Sequence, residues 1–348
     1  MTNISLIKNA TSTRPKVFVG LSGGVDSAVS AALLQQQGYG VTGVFIRIAL
    51  DGYPCTAGED KLSAQRVAAH LKIPFVEIDL SKEYKQKVFA VSIREFEKGN
   101  TPNPDVLCNR EIKFGLFFEW CISHGADLVA TGHYAQTKDG LLYAGVDTEK
   151  DQSYFLALVP ETQLRQTLFP IGNLQKSQVR KLAQKFGLPN ADRKDSQGLC
   201  FLGPISISDM LHKELPLVEG KVLNEKGEVV GTHEGAATYT LGQRHGFTAS
   251  YSSEPLYVVA KDITQNTITV SPNKFPNTKE TPVTLAETNW IGEVVDGSCY
   301  ARYRYRQKLI PATKACDSIV LHEPHYVPVG QALVLYRGTR CLGGGIIS

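Results

Sequence analysis

The sequence predicts an α/β protein with a doubly wound parallel sheet, followed by a β-rich second half. Two observations lead to this fold class. Short apolar runs alternate with helical patterns through residues 1–205, as in sheets whose parallel strands are joined by helices. Beyond them, short β-like runs are separated by glycine, proline and asparagine. We therefore expect an α/β domain at 1–205, a small β-rich linking domain at 206–278 and a C-terminal β-barrel at 279–348.

The α/β part opens with a strand, a turn and a helix. Lys16–Leu21 is short and apolar, Ser22–Ser27 contains adjacent glycines, and Ala28–Gln37 has a helical pattern that ends before a glycine. Two later helices, around Ala64–Leu71 and Ser177–Phe186, repeat apolar residues at the spacing of one helix face. The other strands predicted in this part are Val41–Ile46, Phe75–Leu80 and Asp127–Thr131.

The second half follows a long polar loop, Asn190–Gly203. Its apolar runs are short and regularly interrupted, which is typical of a small barrel. The strands predicted there include Lys221–Leu223, Leu256–Ala260, Thr267–Val270 and Ala332–Tyr336.

The composition limits location and partners rather than indicating an activity. The net charge is only +3, so any basic surface for a nucleic acid must be local. No apolar run approaches the roughly 18 residues of a membrane span. The N-terminus also lacks the apolar core of a signal peptide, so we expect a cytoplasmic protein with no membrane partner. The seven cysteines form no C-x-x-C pair, which disfavours a disulfide framework and a self-contained four-cysteine zinc site, and no metal site is predicted among them.

The sharpest motif lies between the first strand and the first helix. Adjacent glycines leave backbone N–H groups free to bind phosphate at the positive end of the helix, and serine hydroxyls add donors. Asp26 is a candidate ligand for Mg²⁺. The motif lacks the lysine of a Walker A loop and the spacing of a dinucleotide-binding loop. The candidate nucleotide-binding residues here are Gly20, Leu21, Ser22, Gly23, Gly24, Val25, Asp26 and Ser27.

The turn SGGVDS, Ser22–Ser27, resembles the loop of the ATP pyrophosphatases. These enzymes split ATP into AMP and pyrophosphate and adenylate an oxygen of their substrate. The resemblance implies that ATP, with Mg²⁺, is used, and that adenine lies near Ile46 and near Gly132 in the turn Thr131–Tyr134. The loop by itself does not choose between the amide-forming synthetases and the tRNA-modifying enzymes of that superfamily.

Two cysteines lie in segments with distinctive flanks. Cys108 ends the proline-punctuated stretch TPNPDVLC, where a loop is expected to enter a helix, and a thiolate at a helix N-terminus gains from exposed N–H groups. Arg110 and Lys113 favour the thiolate in the same way. Cys200 lies in the long polar loop, where a chain movement would carry it to the active site. On residue type alone, two unrelated structural cysteines remain the alternative.

The cysteine segments and the nucleotide loop together resemble the MnmA-type tRNA-specific 2-thiouridylases, a bacterial family that makes 2-thiouridine at the wobble position. The resemblance runs through nearly the whole chain, with the motifs in one order. They are GLSGGVDS, TPNPDVLCNREIKFG, ATGHYA, KDQSYFL, LFPIG, KDSQGLCF, TLGQRHG, YRYRQ and CLGGGII.

The resemblance implies roles for individual residues. Cys200 would carry the incoming sulfur as a persulfide, and Cys108 would release that sulfur and then form a disulfide with Cys200. Asp105 fits a general acid and base. The residues implied to contact the tRNA or its target base are Asn103, Pro104, Asp105, His133, Lys150, Asp151, Gln152, Arg304, Tyr305 and Gln331.

The resemblance also implies partners. These are the tRNAs that read Lys, Glu and Gln codons, and a persulfide donor such as a cysteine desulfurase or a sulfur-relay protein. One position departs from the family pattern, because Ile46 stands where a methionine is usual, a change conservative in size. Some members have a third cysteine at the position of Asp105, so an all-thiolate iron–sulfur site is not available from these motifs here.

The segment Tyr300–Lys308, YARYRYRQK, is predicted as a strand that faces RNA. Side chains alternate along a strand, so its four cations would share one face, with Tyr303 and Tyr305 on the other. A solvated outer face of the barrel is the alternative. The cations are Arg302, Arg304, Arg306 and Lys308.

Plainer interpretations stay open for other residues. Lys150, Asp151 and Gln152 also suit a polar lead-in to a regular element, and His133 also suits a turn without a chemical role. For Gln243 and Arg244, an RNA contact and a structural hairpin are equally compatible with the sequence. The remaining cysteines are expected to be structural: Cys55, Cys121, Cys299, Cys316 and Cys341.

Two rival functions follow from parts of the pattern. An amide-forming synthetase explains the nucleotide loop but gives no use for Cys108 and Cys200, and pyrophosphate release that depends on ammonia would favour it. A non-catalytic RNA-binding module would explain the basic β-rich half, but it disagrees with the intact loop Ser22–Ser27 and would be excluded by AMP production.

Overall fold

The predicted fold class is confirmed in the computed structural model, which describes residues 14–54, 57–195, 198, 200–203, 205–250, 254–316 and 318–348. An α/β part with a parallel sheet precedes a small β unit and a closed β-barrel. Part of the predicted loop Asn190–Gly203, and also Cys55, lie outside the described residues. In the part of the chain that the structure describes, no helix is long and apolar enough to cross a membrane.

The first half holds a five-stranded parallel sheet and a separate hairpin. The sheet has the strand order β3-β2-β1-β4-β7, and every pairing in it is parallel. The hairpin of β5 and β6 joins the barrel sheet instead. The strands are β1 (Lys16–Gly20), β2 (Gly40–Arg47), β3 (Phe75–Asp79), β4 (Leu128–Ala130), β5 (Ala135–Lys138), β6 (Leu141–Ala144) and β7 (Thr167–Leu168).

Helices cover both faces of the parallel sheet. On β1, Val17 and Val19 pack in one buried cluster that includes Val29, whereas Phe18 faces the other side and contacts Trp120 at a ring-centroid distance of 6.3 Å. Burial on both faces explains why the strands are apolar runs and do not alternate with polar residues.

Ten α-helices are described, and short π-helical segments join two pairs of them. The segment Lys85–Phe89 joins α3 to α4, and Asn109–Leu116 joins α5 to α6. A 3₁₀ turn spans Ala236–Thr238. The helices are α1 (Val25–Gln36), α2 (Ala57–Leu71), α3 (Ser81–Tyr84), α4 (Ala90–Glu97), α5 (Pro104–Cys108), α6 (Phe117–Ser123), α7 (Ser153–Leu156), α8 (Glu161–Leu164), α9 (Lys176–Lys185) and α10 (Ile207–Glu214).

The second half contains two antiparallel-rich sheets. Strands β8 to β11 form a small sheet in the order β10-β11-β8-β9. Strands β12 to β17 close on themselves through the pairing of β12 with β17, so they form a six-stranded barrel. They are β8 (Gly220–Leu223), β9 (Val229–His233), β10 (Tyr257–Asp262), β11 (Thr267–Ser271), β12 (Thr281–Trp290), β13 (Gly297–Arg302), β14 (Ile310–Ala315), β15 (Ser318–Leu321), β16 (Ala332–Arg337) and β17 (Arg340–Ile347).

The hairpin of β5 and β6 ties the α/β part to the barrel. Leu142 of β6 pairs with Cys341 of β17, and Tyr143 pairs with Arg340. This connection is absent from the sequence prediction, because a short hairpin within an α/β pattern gives no sign of the distant strand it will join. The barrel is therefore held against the site-bearing half by backbone hydrogen bonds.

Candidate active site

The nucleotide loop passes directly from β1 into the first turn of α1. The helix starts at Val25, three residues earlier than predicted, so Asp26 and Ser27 lie in its first turn beside the free N–H groups that bind anions. The Ser27 hydroxyl donates to the carbonyl of Gly24 at 3.1 Å and lies 3.3 Å from the Ser22 hydroxyl. The loop is thus shaped by its own serines.

Two glycines allow other backbone segments to approach this loop. Gly23 has a φ of +79°, and a Cβ there would lie 2.4 Å from the Asp60 carbonyl oxygen. A Cβ on Gly132 would lie 2.7 Å from the Ser27 nitrogen, so the turn that holds Gly132 packs on the loop. Ile46 is buried near the end of β2, the strand next to β1. The predicted nucleotide-binding residues therefore gather at the carboxyl edge of the sheet, where α/β folds bind ligands.

A lysine holds the carboxylate of Asp26. Lys176 Nζ lies 2.8 Å from both oxygens of Asp26 and 2.8 Å from Asp195 Oδ1, and the Tyr134 hydroxyl donates to Asp26 at 2.8 Å. Sequence reasoning gave no role to Lys176, which no local pattern marks, or to Asp195, which lies in the motif KDSQGLCF but was not singled out. Asp26 offers one carboxylate, which fits Mg²⁺ because this ion is usually held by one or two carboxylates together with phosphate oxygens.

Cys108 and Cys200 lie side by side, as predicted. The Cys108 thiol donates to the Cys200 sulfur at 3.6 Å. The Cys200 N–H donates to Asp105 Oδ1 at 3.2 Å, and the Tyr84 hydroxyl donates to the Cys200 carbonyl at 2.9 Å. Because α5 carries both Asp105 and Cys108, one short helix positions two of the three predicted catalytic residues against the third.

The two thiols differ in acidity. The prediction that Cys108 has a stabilised thiolate is wrong. Cys108 ends α5 and does not begin it, and its thiol is buried, so burial and the hydrogen bond to Cys200 raise its pKa well above the usual value. The hydrogen bond from Cys108 and the charge of Lys113 lower the pKa of Cys200, against the opposing effect of burial. Cys200 is therefore the more acidic of the two thiols.

The pH dependence of Cys200 alkylation tests this assignment. Lys113→Met removes a cation that favours the Cys200 thiolate, so its pKa rises and the half-maximal rate moves to higher pH. Alkylation of Cys200 at neutral pH then slows, measured by mass spectrometry of the Cys200 peptide. The control Lys87→Met removes an exposed lysine that pairs with Glu111, and it should leave the profile in place. An unchanged profile in Lys113→Met would show that Lys113 does not set the acidity of Cys200.

Asp105 is less acidic than an ordinary aspartate. Burial raises the pKa of its carboxyl above the usual value, although Lys113 and the Cys200 N–H act in the opposite direction. A carboxyl with a raised pKa is better able to hold and release a proton near neutral pH. Its position beside Cys200 places that proton at the sulfur centre.

His133 connects the nucleotide loop with the cysteine pair. Burial, with a contribution from Lys113, lowers its pKa well below the usual value, so the imidazole is neutral. Its Nδ1 lies 2.7 Å from the Thr131 hydroxyl, and its ring packs against Phe114 at 5.8 Å. Since Gly132 packs on the loop and Lys113 acts on both His133 and Cys200, one short turn lies between the two halves of the site.

Gln331, next to barrel strand β16, contacts the residue that caps the start of α5. Asn103 caps this helix by accepting from the Val106 N–H at 3.2 Å, and Pro104 follows at the first helical position. The Asn103 amide donates to Gln331 Oε1 at 3.0 Å, and the Tyr154 hydroxyl donates to the same oxygen at 3.1 Å. Three residues predicted to contact tRNA, Asn103, Pro104 and Gln331, are thereby brought together.

The predicted contact residues at 150–152 have different environments. Lys150 is partly exposed and its Nζ lies 2.9 Å from Asp195. Gln152 accepts from the Tyr134 N–H at 2.9 Å through its side-chain oxygen. Asp151 is buried, 6% exposed. Contact between the Asp151 side chain and RNA would require its buried interactions to open, so the structure gives this residue an internal role.

The predicted strand Tyr300–Lys308 is wrong beyond Arg302. Strand β13 ends at Arg302, which is 8% exposed and donates to Asp151 Oδ2 at 2.6 Å. Arg306 has a φ of +61°, which a strand does not allow. The four cations therefore do not share a face, because Arg302 points inward to a buried carboxylate while the chain turns after it.

The turn after β13 still presents two predicted RNA contacts. Arg304 is exposed, and it donates to the Leu241 carbonyl at 2.6 Å, which joins the barrel to the small β unit. The Tyr305 ring packs against Phe155 at a centroid distance of 4.7 Å. Arg306 lies over the ring of Tyr305 at 5.1 Å. These side chains form a compact basic and aromatic turn.

Removing the buried cation should destabilise the protein. Arg302→Met leaves the buried Asp151 carboxylate without its cation, and we expect the free energy of unfolding to fall by about 3 kcal/mol. Urea unfolding followed by circular dichroism measures this change. The control Arg304→Met alters an exposed arginine two residues away, and its effect should stay within about 0.5 kcal/mol. Equal stability of the two variants would contradict the internal role of Arg302.

Comparison with known proteins identifies the protein family to which this chain is similar. Models for three domains match consecutive parts of the chain. A tRNA methyl transferase HUP domain matches residues 15–204, a tRNA methyl transferase PRC-barrel domain matches 208–272, and an aminomethyltransferase beta-barrel domain matches 280–347.

Curated relatives match over nearly their whole length, and all three named here are tRNA-specific 2-thiouridylases MnmA. The relative from Enterococcus faecalis is 41% identical, with 97% of this chain and 96% of the relative covered. The relative from Geobacillus thermodenitrificans is 42% identical, with 95% and 94% covered. The relative from Escherichia coli O1:K1 / APEC is 43% identical, with 96% and 97% covered. The chain belongs to the family of the tRNA-specific 2-thiouridylases MnmA.

Proposed function

We propose that this protein uses ATP to activate the C2 oxygen of the wobble uridine of tRNA and then replaces that oxygen with sulfur. The products are 2-thiouridine, AMP and pyrophosphate. The observation that carries the proposal is the 3.6 Å contact between the sulfurs of Cys108 and Cys200, next to a turn that packs on the nucleotide loop. The identity of the curated relatives supports the same reaction.

The nucleotide loop serves the first step. The C2 oxygen of uracil leaves poorly, and joining it to AMP turns it into a good leaving group while pyrophosphate is released. Backbone N–H groups at the start of α1 and the hydroxyls of Ser22 and Ser27 would bind phosphate oxygens. Asp26 would bind Mg²⁺, which neutralises phosphate charge when present. Ile46 and Gly132 would lie against the adenosine.

The cysteine pair serves the second step. Cys200 first accepts a sulfur atom as a persulfide, and the terminal sulfur attacks C2 of the adenylated base while AMP leaves. The Cys108 thiolate then attacks the Cys200 sulfur, the bond between Cys200 and the transferred sulfur breaks, and the electron pair goes to the sulfur on the base. The products are 2-thiouridine and a Cys108–Cys200 disulfide, which a thiol reductant must reduce before the next cycle.

Neighbouring groups would manage protons and position the base. Asp105 would take the proton from Cys108, whose thiol otherwise stays protonated, and its raised pKa suits that role. A uridine stacked in the anticodon cannot reach the two sulfurs, so it must be flipped into the site. Asn103, Pro104 and neutral His133 would contact the flipped base.

The partners follow from the same reaction. The tRNA would lie along Lys150, Gln152, Arg304, Tyr305 and Gln331, and the substrates would be the tRNAs for Lys, Glu and Gln. Contact through Asp151 would use its backbone, because its side chain is buried. A persulfide donor such as a cysteine desulfurase or a sulfur-relay protein would load Cys200. The location that suits these partners is the cytoplasm.

Reconstitution tests the proposal. Purified protein is mixed with unmodified tRNA, Mg·ATP and a persulfide donor, and the digested tRNA is analysed for 2-thiouridine by mass spectrometry. We expect thiolation to require ATP and to release one AMP per modified base. Pyrophosphate release that depends on ammonia and not on tRNA would favour an amide-forming synthetase instead, and transfer of a methyl group would favour the chemistry that the domain descriptions name.

A further inference from the structure

An exposed phenylalanine lies in the segment that joins the small β unit to the barrel. This segment, residues 272–280, runs from the end of β11 to the start of β12 and is described in full, with no helix or strand. Phe275 within it is 44% exposed. A single exposed apolar side chain is ordinary on a protein surface, so its neighbours decide what it can bind.

Phe275 belongs to a row of three rings with a cation at each end. Lys274 Nζ lies 5.1 Å from the centre of the Phe275 ring. Phe275 meets His325 edge-on with the ring centroids 5.4 Å apart, and His325 meets Tyr303 in the same way at 5.7 Å. At the other end, Arg304 Cζ lies 5.6 Å from the centre of the Tyr303 ring. We call these five side chains the aromatic row.

The middle of the aromatic row is buried and its ends face solvent. The His325 side chain is 9% exposed, Tyr303 is buried, and the Tyr303 hydroxyl lies 3.1 Å from His325 Nδ1, so these two rings form a fixed base. Lys274 and Arg304 are exposed. One carboxylate, that of Glu323, lies 3.5 Å from His325 Nε2. Two cations against one carboxylate leave the exposed side of the row positive, which attracts anions such as phosphate.

The aromatic row ends close to the cap of α5. Arg304 donates to the carbonyl of Leu241 at 2.6 Å, and the hydroxyl of the preceding residue, Thr240, lies 3.2 Å from the Thr101 hydroxyl. Thr101 comes two residues before Asn103, which caps the helix that carries Asp105 and Cys108. An RNA strand that delivers its base to Asn103 therefore passes near the row with its neighbouring nucleotides.

Resting on the proposed function, we propose that Phe275 and Lys274 are further contacts for the tRNA. The Phe275 ring stacks on an unpaired base of the anticodon loop other than the wobble uridine, and Lys274 neutralises a neighbouring phosphate. Unpaired bases stack on aromatic side chains whatever their identity, because every base has a π-face. A second base held in this way positions the loop so that the wobble uridine reaches the two cysteines.

RNA binding tests the stacking contact. Filter retention measures the Kd of the full-length protein for the unmodified tRNA for Lys and for its isolated anticodon stem–loop. Phe275→Leu keeps an apolar side chain but removes the ring, so we expect Kd to rise about tenfold for both RNAs. Phe275→Tyr keeps the ring, and its Kd should stay within about twofold of the wild type. Lys274→Met should reduce the steepness of log Kd against log salt concentration by about 0.7, the effect of one lost phosphate contact.

A matched control makes the outcome decisive. Tyr300→Leu removes an exposed aromatic ring from barrel strand β13, and it should bind both RNAs as the wild type does. An unchanged midpoint of urea unfolding shows that each variant is folded. If the wild type binds tRNA but Phe275→Leu binds the stem–loop equally tightly, the contact with the anticodon loop is wrong and the proposed function stands. If the wild type binds no tRNA, both fail.

Discussion

The Cys200→Ser variant forms 2-thiouridine at less than about one-thousandth of the wild-type rate. A serine hydroxyl cannot carry a sulfur atom as a persulfide, so the nucleophile of the second step is absent. AMP release with tRNA should continue, because Cys200 takes no part in activating the base. The measurement is mass spectrometry of digested tRNA, with AMP quantified in the same samples.

The partner cysteine gives a distinguishable result. Without added thiol, Cys108→Ser should also stop thiolation, but the base remains joined to Cys200 through a disulfide that dithiothreitol releases. Cys316→Ser, which changes an exposed cysteine of the barrel, is the matched control and should retain full activity. Normal thiolation by Cys200→Ser would show that sulfur travels by another route.

The second large effect is expected at the nucleotide loop. Asp26→Ala should lower AMP and pyrophosphate release at least about 100-fold, because the variant loses the carboxylate that would bind Mg²⁺ and also leaves Lys176 without its principal partner. Chromatographic quantification of AMP after incubation with tRNA and Mg·ATP measures the effect. Binding of tRNA, measured by filter retention, should be unchanged.

A carboxylate outside the loop controls for the loss of charge. Glu280→Ala removes an exposed side chain that pairs with His322 in the barrel, and AMP release should stay at the wild-type rate. AMP release at the normal rate in Asp26→Ala would mean that the loop does not bind the reacting nucleotide.

The strand–turn–helix unit was predictable because its signal is local. A glycine-rich turn between an apolar run and a helical pattern depends on neighbouring residues only, and β1, the loop and α1 follow it within three residues. The pairing of Cys108 with Cys200 came from resemblance, since residues 92 positions apart leave no trace of contact in spacing.

The errors concern residues whose state depends on distant contacts. Alternating Arg and Tyr predicts a strand through Lys308, but β13 ends at Arg302, whose side chain pairs with Asp151 of another segment. For the same reason Lys176 went unnoticed, since its partners Asp26 and Asp195 lie on either side of it in sequence and meet only in the fold. Charged neighbours suggested an acidic Cys108, whereas burial decides its pKa.

The most direct test is a single turnover with Cys200 loaded as a persulfide, followed by quantification of the Cys108–Cys200 disulfide. Two sulfurs already in contact should react with each other as the base receives its sulfur, so we predict one such disulfide for each 2-thiouridine formed. Formation of 2-thiouridine while Cys108 and Cys200 both remain free thiols would contradict the account.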